Sequence, residues 1–421
     1  MTVSTPAVKS DGPRAAWPLV LLDSVAFRGS GHTPSKTHPN YWNGNIKWLS
    51  LKDTFRLDQG EVVETADSIS EDGLKNSSAV LHPSGSVVLL RDAGIGKGGI
   101  LGMEAAVSQH FMVWRCGRSL YNWYLYYLFQ SWKPAFDRVS NGSTIKTIGL
   151  DFFRNLAIPL PQYDEQVAMA HALRDIDGYL VALEKLIAKK QAIQHGMMQE
   201  LLTGRTRLPG FAEPWRKLHL RDAGVTYGGL AGKTKADFDE GSAQFVTFME
   251  VMSSPLLQGQ HLGLVNVPPG ERQNTVQRGD VLFNGSSETP EEVALAAVVD
   301  FDPNPCTYLN SFCFGYRLRG SDLIDATYLA YFIRSGSGRA MVATLAQGAT
   351  RYNISKTKLL DKHLLLPPVD EQRSIVSMLR DAEDSISATD RQLVKAQEIK
   401  NGMVQQLLTG RMRLPEAESA A

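Results

Sequence analysis

The chain has 421 residues, enough for two or more domains, and its 43% apolar and 21% charged residues are typical of soluble globular proteins. Because 44 basic residues balance 44 acidic ones, a globally basic nucleic-acid-binding protein is excluded, and any DNA-binding surface must be a local patch. Three cysteines without zinc-like spacing exclude a disulfide framework and a structural zinc site, and they fit a reduced, cytoplasmic compartment.

Residues 1–16 form an N-terminal tail that lacks the charged and then apolar pattern of a secretory signal peptide. Residues 17–160 predict a first globular domain of mixed α/β type. Within it, "SGSVVLLRDAGIG" is a short apolar strand bounded by glycines, and "NWYLYYLFQSW" has the helical spacing of large apolar residues. No apolar run approaches the roughly 18 residues that a membrane-spanning helix needs.

The pattern of residues 161–206 predicts a long helix. Pro161 precedes it, Asp164 is a candidate N-cap or first-turn acid, and Gly204 stands where a helix ends. Its apolar residues recur at alternating steps of three and four, which is the 3.5-residue period of a coiled-coil seam. At 1.5 Å per residue, about 40 residues predict a rod of roughly 60 Å.

The same order of elements then recurs. Residues 207–366 predict a second globular domain, 367–415 a second long helix, and 416–421 a C-terminal tail. "LLTGRTRLP" returns as "LLTGRMRLP" at an offset of 206, and residues 164–209 share 21 of 46 positions with residues 370–415. Upstream the similarity is weak, so the chain is a tandem duplication with similar helices and diverged globular parts. The predicted fold is α/β (α+β), with two globular domains separated by two long antiparallel coiled-coil helices about a pseudo-twofold axis.

The motifs of common catalysts are absent from the sequence. It has no Asn/Asp-Pro-Pro-aromatic tetrapeptide of amino-methyltransferases, no nucleotide-binding P-loop and no zinc-protease histidine pair. We therefore predict a chain that binds and is not itself an enzyme. The similar helices predict one kind of partner docking twice, and the diverged domains predict two different ligands. A bipartite, asymmetric double-stranded DNA site fits two readers held apart.

The chain resembles the specificity subunits of type I restriction-modification systems. The resemblance rests on "GSGHTPSKTHPNYWNGNIKWLSLKD" from Gly29, "VVLLRDAGIGK" from Val87, "STIKTIGLDFFRNLAIPLPQYDEQ" from Ser143 and the two "LLTGR" segments. It implies that the globular parts are target recognition domains and the helices are conserved spacers. It further implies two modification subunits that methylate adenine at N6 with S-adenosylmethionine. Two restriction subunits that use ATP and magnesium are a further partner, whose presence the sequence leaves open.

No cofactor, metal or catalytic residue is expected in this chain itself. The second domain departs from the family pattern, because "GGLAGKTKADF" lacks the GxTPS form of the first loop. Candidate DNA contacts are the polar residues of divergent loops and of shared turns. In the first domain these are His32, Thr33, Ser35, Lys36, Arg91, Lys97, Ser143, Thr144 and Lys146. In the second they are Lys233, Thr234, Lys235, Asn284, Thr350, Arg351 and Lys356.

Two other interpretations remain open. One is a scaffold that carries two ligand-binding modules on a coiled coil and has no DNA function. The other is an enzyme whose site is too dispersed to find in the sequence.

Overall fold

The computed structural model describes residues 17–140, 146–348 and 351–414, and the chain divides into two compact units. One unit holds the chain up to Glu184 together with the chain from Gln392 onward, and the other holds Lys185–Arg391. Each unit therefore contains one globular domain and parts of two long helices. Within the described ranges, no helix combines the length and apolar character needed to cross a membrane.

The first globular domain contains strands and short helices in mixed order. Its strands are β1 (Leu19–Leu21), β2 (Ala26–Ser30), β3 (Trp42–Leu49), β4 (Glu61–Val62), β5 (Asp67–Ile69), β6 (Leu81–His82), β7 (Val87–Leu90), β8 (Gly98–Leu101), β9 (Ala105–Val107), β10 (Phe111–Cys116) and β11 (Ala157–Pro159). Its helices are α1 (Leu22–Val25), α2 (Glu71–Lys75), α3 (Asn122–Ser131), α4 (Lys133–Val139) and α5 (Leu150–Arg154), with 3-10 turns at Pro39–Tyr41 and Leu51–Asp53.

This domain has two sheets, and the larger sheet has a separate hydrophobic core on each of its faces. One sheet has the strand order β2-β10-β7-β8-β4, the other has the order β5-β3-β9-β6, and β1 pairs with β11. Because side chains alternate along a strand, Val87 and Leu89 face a core shared with α3, whereas Val88 and Leu90 face the core toward the second sheet. The apolar run predicted as a strand is therefore buried on both faces.

The second globular domain repeats this arrangement. Its strands are β12 (Arg216–His219), β13 (Gly224–Gly228), β14 (Phe238–Val246), β15 (Leu256–Leu257), β16 (Gly263–Val265), β17 (Val281–Asn284), β18 (Ser286–Ser287), β19 (Ala296–Val299), β20 (Thr307–Leu309), β21 (Cys313–Leu318), β22 (Ala346–Gln347), β23 (Tyr352–Ile354) and β24 (His363–Leu366). Its helices are α7 (Leu220–Ala223), α8 (Phe248–Ser253), α9 (Ala326–Arg334), α10 (Gly336–Ala343) and α11 (Lys356–Leu360), with a 3-10 turn at Lys235–Asp237.

The strand order confirms the duplication where sequence identity is low. The order β13-β21-β17-β19-β15 matches the first domain strand for strand, and β12 pairs with β24 as β1 pairs with β11. Both copies also pair two strands in parallel, β3 with β9 and β14 with β20, and both place a register shift in the longer strand. The two copies differ at β18-β23-β22, because the first domain has only a bridge between Asp92 and Thr147 at that place among its described residues.

The long helices are α6 (Tyr163–Leu201) and α12 (Val369–Leu407), each of 39 residues. Asp164 lies in the first turn of α6, as predicted, and Asp370 lies in the first turn of α12, where an acid favours the helix dipole. In the first unit Lys400 Nζ lies 2.6 Å from Asp177, and in the second Lys190 Nζ donates to Thr389 over 2.7 Å. In the second unit Gln194 also donates to Glu383 over 3.2 Å, so a later residue of α6 contacts an earlier residue of α12, which confirms antiparallel packing.

The repeated tail segments contact the repeated helix starts. The Arg207 guanidinium donates to both carboxylate oxygens of Glu371 at 2.6 Å, and Arg413 lies 3.6 Å from Glu165. Gly204 has a φ of 71°, and a Cβ at this position would lie 2.9 Å from the Trp215 ring. In both units the end of one copy's helix is thus fixed to the start of the other copy's helix. This explains why "DEQ" and "LTGR-x-RLP" are both repeated.

Candidate nucleic-acid interface

A glycine in each domain lets the first loop lie against a buried parallel strand. A Cβ on Gly31 would lie 1.7 Å from the Val107 carbonyl oxygen, and one on Gly229 would lie 2.1 Å from that of Asn310. The next amide donates to the same strand in both domains, His32 to Val107 over 3.0 Å and Leu230 to Leu309 over 2.8 Å. Only glycine permits this approach, so the loops start from equivalent, fixed positions.

The candidate residues of the first loop are at the surface. The side chains of His32, Ser35 and Lys36 are exposed, and Thr33 donates from Oγ1 to Gln109 Oε1 over 2.6 Å. Beside this loop is an open cleft of about 600 Å³. Its lining combines aromatic, amide and cationic side chains, among them Thr33, Lys36, Trp42, Asn43, Lys52 and Gln109.

The glycine-rich loop after β7 adds two cationic candidates with different environments. Lys97 is exposed, whereas Arg91 is half-buried, with its amide donating to the His110 carbonyl over 3.0 Å. The Arg91 carbonyl in turn accepts from Ile148, two residues after Lys146. The structure thus brings Thr33, Arg91 and the segment containing Lys146 together around the turn between β9 and β10.

The shared polar turns are only partly described. Ser143, Thr144 and Thr350 lie outside the described residues. Lys146 is exposed and pairs with Asp137 at 2.9 Å, a contact that DNA phosphate would have to replace. This set remains a prediction.

Two candidates of the second domain are corrected. The Lys233 side chain is only 4% exposed and its Nζ lies 2.6 Å from Glu271, so its charge is already neutralised. Hydrogen bonds from Lys233 and Gln273 hold the pKa of Glu271 below its usual value, which keeps that partner ionised. Asn284 is fully buried at the end of β17 and its Nδ2 donates to the carbonyls of Ser286 and Glu292. Neither side chain is presented to a base.

The other second-domain candidates are at the surface. Thr234 caps the 3-10 turn, with Oγ1 donating to Asp237 over 2.9 Å, and Lys235 is exposed beside it. The Arg351 guanidinium lies 4.9 Å from the centre of the exposed Phe312 ring. Lys356 Nζ lies 5.6 Å from the centre of the Phe314 ring. These cations border the turn between β20 and β21.

Comparisons with known proteins agree with this architecture. Residues 16–195 match the family described as Type I restriction modification DNA specificity domain. The MjaIX type I restriction enzyme specificity subunit of Methanocaldococcus jannaschii is 20% identical over 415 residues, which cover 95% of this chain and 94% of that protein. The MjaVIII specificity subunit of the same organism is 22% identical over 306 residues, which cover 69% of this chain and 70% of that protein. Residues 16–195 thus match a type I restriction-modification DNA specificity domain, and the chain is similar to type I specificity subunits over nearly its whole length.

Solved structures of specificity subunits share the fold. A type I S subunit from M. genitalium aligns with a TM-score of 0.56 at 13% identity, covering 96% of this chain and 99% of that one. The HsdS subunit from Thermoanaerobacter tengcongensis aligns with a TM-score of 0.53 at 18% identity, covering 95% and 98%. The predicted fold class, two globular domains of mixed α/β type with two long paired helices, is confirmed.

The sequence analysis missed the two turns at residues 108–110 and 310–312, which follow β9 and β20. Gln109, His110 and Phe312 were not among the candidates, although each lies in the turn before a strand of the main sheet. A signal was available in the alignment of the copies. "SQHF" and "NSFC" follow equivalent buried strands and differ at every position.

Proposed function

We propose that this specificity subunit reads a bipartite, asymmetric DNA target, with one half-site for each recognition domain. The observation that carries the proposal is the duplication itself. The two domains have the same strand order, yet the exposed side chains of their loops differ. Two readers built on one scaffold with different surface chemistry suit two half-sites of different sequence.

The spacer helices are proposed as docking surfaces for two modification subunits, which methylate adenine at N6 with S-adenosylmethionine. Restriction subunits that use ATP and magnesium are proposed as further partners of the same complex. Similarity between the helices supports the docking of one kind of partner twice. The chain itself is proposed to carry out no catalysis, so methyl transfer requires the partner subunits.

A domain exchange tests the proposal. The wild-type chain is co-expressed with its modification subunit, and the methylated positions of the host genome are mapped. Residues 17–160 are then replaced by the recognition domain of another family member. One half of the methylated motif should change and the other half should stay. A change in both halves, or no bipartite motif for the wild type, would refute the proposal.

Binding measurements distinguish this proposal from the scaffold interpretation. A DNA reader should bind duplex with an affinity that falls steeply as salt rises, because phosphate contacts release counterions. A scaffold without DNA function should show no such binding. Methyl transfer by the purified chain alone would contradict its proposed non-catalytic role.

A further inference from the structure

The two recognition domains share the backbone of one exposed turn. In the first domain Phe111 N donates to Ser108 O over 3.1 Å, and in the second Cys313 N donates to Asn310 O over 3.0 Å. The first residue of each turn is anchored to the long strand of the second sheet, Ser108 to Leu49 and Asn310 to Val246. These matching hydrogen bonds make the two turns equivalent.

A second anchor identifies the equivalent side chains. The His110 carbonyl accepts from Arg91 N over 3.0 Å, and the Phe312 carbonyl accepts from Gly285 N over 2.7 Å. Both donors directly follow a fully buried strand, β7 or β17. His110 and Phe312 therefore occupy the same place in the two copies, on a backbone that is fixed from two sides.

In the first domain the side chains of the turn take part in a chain of hydrogen bonds. Thr33 Oγ1 donates to Gln109 Oε1 over 2.6 Å, and Gln109 Nε2 lies 3.5 Å from His110 Nε2. His110 Nδ1 lies 2.6 Å from Asp92 Oδ1, and since a carboxylate only accepts, Nδ1 carries the proton. This chain orients the exposed Gln109 amide, which keeps a free N–H and a free oxygen lone pair.

In the second domain the same turn presents an apolar side chain, and a cation from another segment lies beside it. The Phe312 side chain is 55% exposed, and Arg351 lies over its ring at 4.9 Å. Asn310, whose Oδ1 accepts from Phe312 N over 2.9 Å, is used to hold the turn itself. One rigid turn thus presents the Gln109 amide in the first domain and, at the position equivalent to His110, a cation-backed aromatic ring in the second.

We propose that these two turns determine which base pairs each domain accepts, with Gln109 and Phe312 as the specificity-determining residues. This inference rests on the proposed function. The Gln109 amide offers the donor and acceptor that match adenine N7 and N6 in the major groove. Phe312 offers an apolar surface that matches the methyl group of thymine, and Arg351 supplies a neighbouring charge for phosphate. Side chains on a rigid backbone suit base reading because little order is lost on binding.

Methylation mapping of variants tests the assignment in the complete modification complex. Gln109→Ala should relax discrimination at one or more positions of one half-site, and Phe312→Ala should do so only in the other half-site. The loss of discrimination should be about fivefold or more, which is the lower range for one good base contact. Relaxation confined to the expected half supports the assignment.

Two matched controls exist in the chain. Phe27 is 68% exposed and has Arg115 at 4.7 Å over its ring, so Phe27→Ala removes the same kind of stacked pair at another place. Gln59 is exposed and donates to the Phe55 carbonyl, so it is the control for Gln109. Neither Phe27→Ala nor Gln59→Ala should change the motif. An equal change in the controls would overturn the proposal.

The outcomes also separate the inference from the proposed function. Absence of a bipartite motif for the wild type refutes the proposed function. A wild-type motif that both variants keep unchanged refutes the inference alone. Where a variant abolishes methylation, the purified complex is measured on duplexes that vary one base pair at a time. Discrimination lost in one half supports the inference, and weakening in both halves contradicts it.

Modified bases give a direct readout of the contact. Replacing each thymine of the second half-site by deoxyuridine removes the methyl group and nothing else. One replacement should weaken binding by the wild type and leave the Phe312→Ala complex unaffected. If every replacement affects both complexes equally, Phe312 does not contact a thymine methyl group and the assignment fails.

Discussion

Buried glutamines fix the start of both long helices. Gln372 is fully buried, its Oε1 accepts from Asp325 N over 2.9 Å, and its Nε2 donates to the carbonyls of Leu323 and Pro367. Gln166 makes the same three bonds in the first unit, to Tyr121, Ser119 and Pro161. A carboxamide is required here, because it combines the acceptor and the donors that these backbone groups need.

Removing the carboxamide should therefore destabilise the unit that contains it. Gln372→Leu has a similar volume but leaves the buried Pro367 carbonyl and two part-buried backbone groups without a partner. We expect a loss of at least about 2 kcal/mol, since one unsatisfied buried group costs 1–3 kcal/mol. Chemical denaturation of the full chain measures it. Gln166→Leu should act similarly, whereas the exposed Gln397→Leu should change little. Equal stability of all three variants would contradict this account.

At the residue scale, the sequence predicts which residue types could contact DNA better than it predicts which of their side chains are exposed. Loop lysines were sensible candidates, but Lys233 is neutralised by Glu271, 38 residues further on, and such a partner is not apparent from local sequence. Asn284 ends a fully buried strand, and its amide is needed by neighbouring carbonyls. Gln109 was missed because its exposure depends on a turn that two distant backbone bonds hold.

At the scale of elements, the long helices were predictable because their pattern is periodic over many turns. Leu180 and Leu183 pack with Ala396 as the seam requires. Lys190 interrupts the pattern, and the structure gives the reason. Its Nζ donates to the Ser385 carbonyl and to Thr389 Oγ1, so the seam contains a satisfied polar contact. The ends of short strands were less predictable, because their pairing partners are distant in sequence.

One acid on the second helix makes stability depend on pH. Glu383 accepts from the Tyr331 hydroxyl over 2.7 Å and from Gln194 Nε2 over 3.2 Å. Burial raises the pKa of Glu383 above its usual value of 4.5, although the bond from Tyr331 opposes this shift. The folded chain thus holds the proton more tightly than the unfolded chain, so stability is lost as pH rises from the usual pKa through the raised one.

Glu383→Gln should remove this loss. Below about pH 4 the side chain of the wild type is protonated in both states, so the difference in melting temperature between variant and wild type is at its baseline there. As pH rises toward 7, the difference should shift in favour of the variant and then level off. Thermal unfolding between these pH values measures it, with the exposed Glu398→Gln as control. A difference that stays constant with pH would show that Glu383 is not the titrating group.

At the scale of the whole molecule, both units contain residues from both copies of the duplication. Each long helix starts in one unit and ends in the other, with the boundaries after Glu184 in α6 and before Gln392 in α12. The sequence predicted the copies and the antiparallel helices because the helix repeat is similar at a constant offset. It did not predict that each tail segment is bound by the other copy's helix start, since the repeat is compatible with contacts inside one copy as well.

Helix length should then set the gap between the proposed half-sites. Both helices must be lengthened together, because they contact each other in antiparallel order. Four residues inserted after Glu184 and four after Arg391 add about 6 Å to each helix. They over-rotate each helix by only about 40° relative to one full turn, so the seam is roughly kept. With about 3.4 Å between charges along a DNA strand, the added length corresponds to one to two base pairs.

We therefore expect the doubly extended variant, in the complete modification complex, to methylate the same two half-sites with a gap about one to two base pairs longer. Insertion of two residues at the same places is the control, because it turns each apolar stripe by roughly 200° and should abolish methylation through loss of packing. The measurement is the methylated motif of each variant, together with its melting temperature. An extended variant that remains folded and active on the original gap would show that the helices do not set the spacing. In that case the gap must be set by the partner subunits or by bending of the DNA between the half-sites.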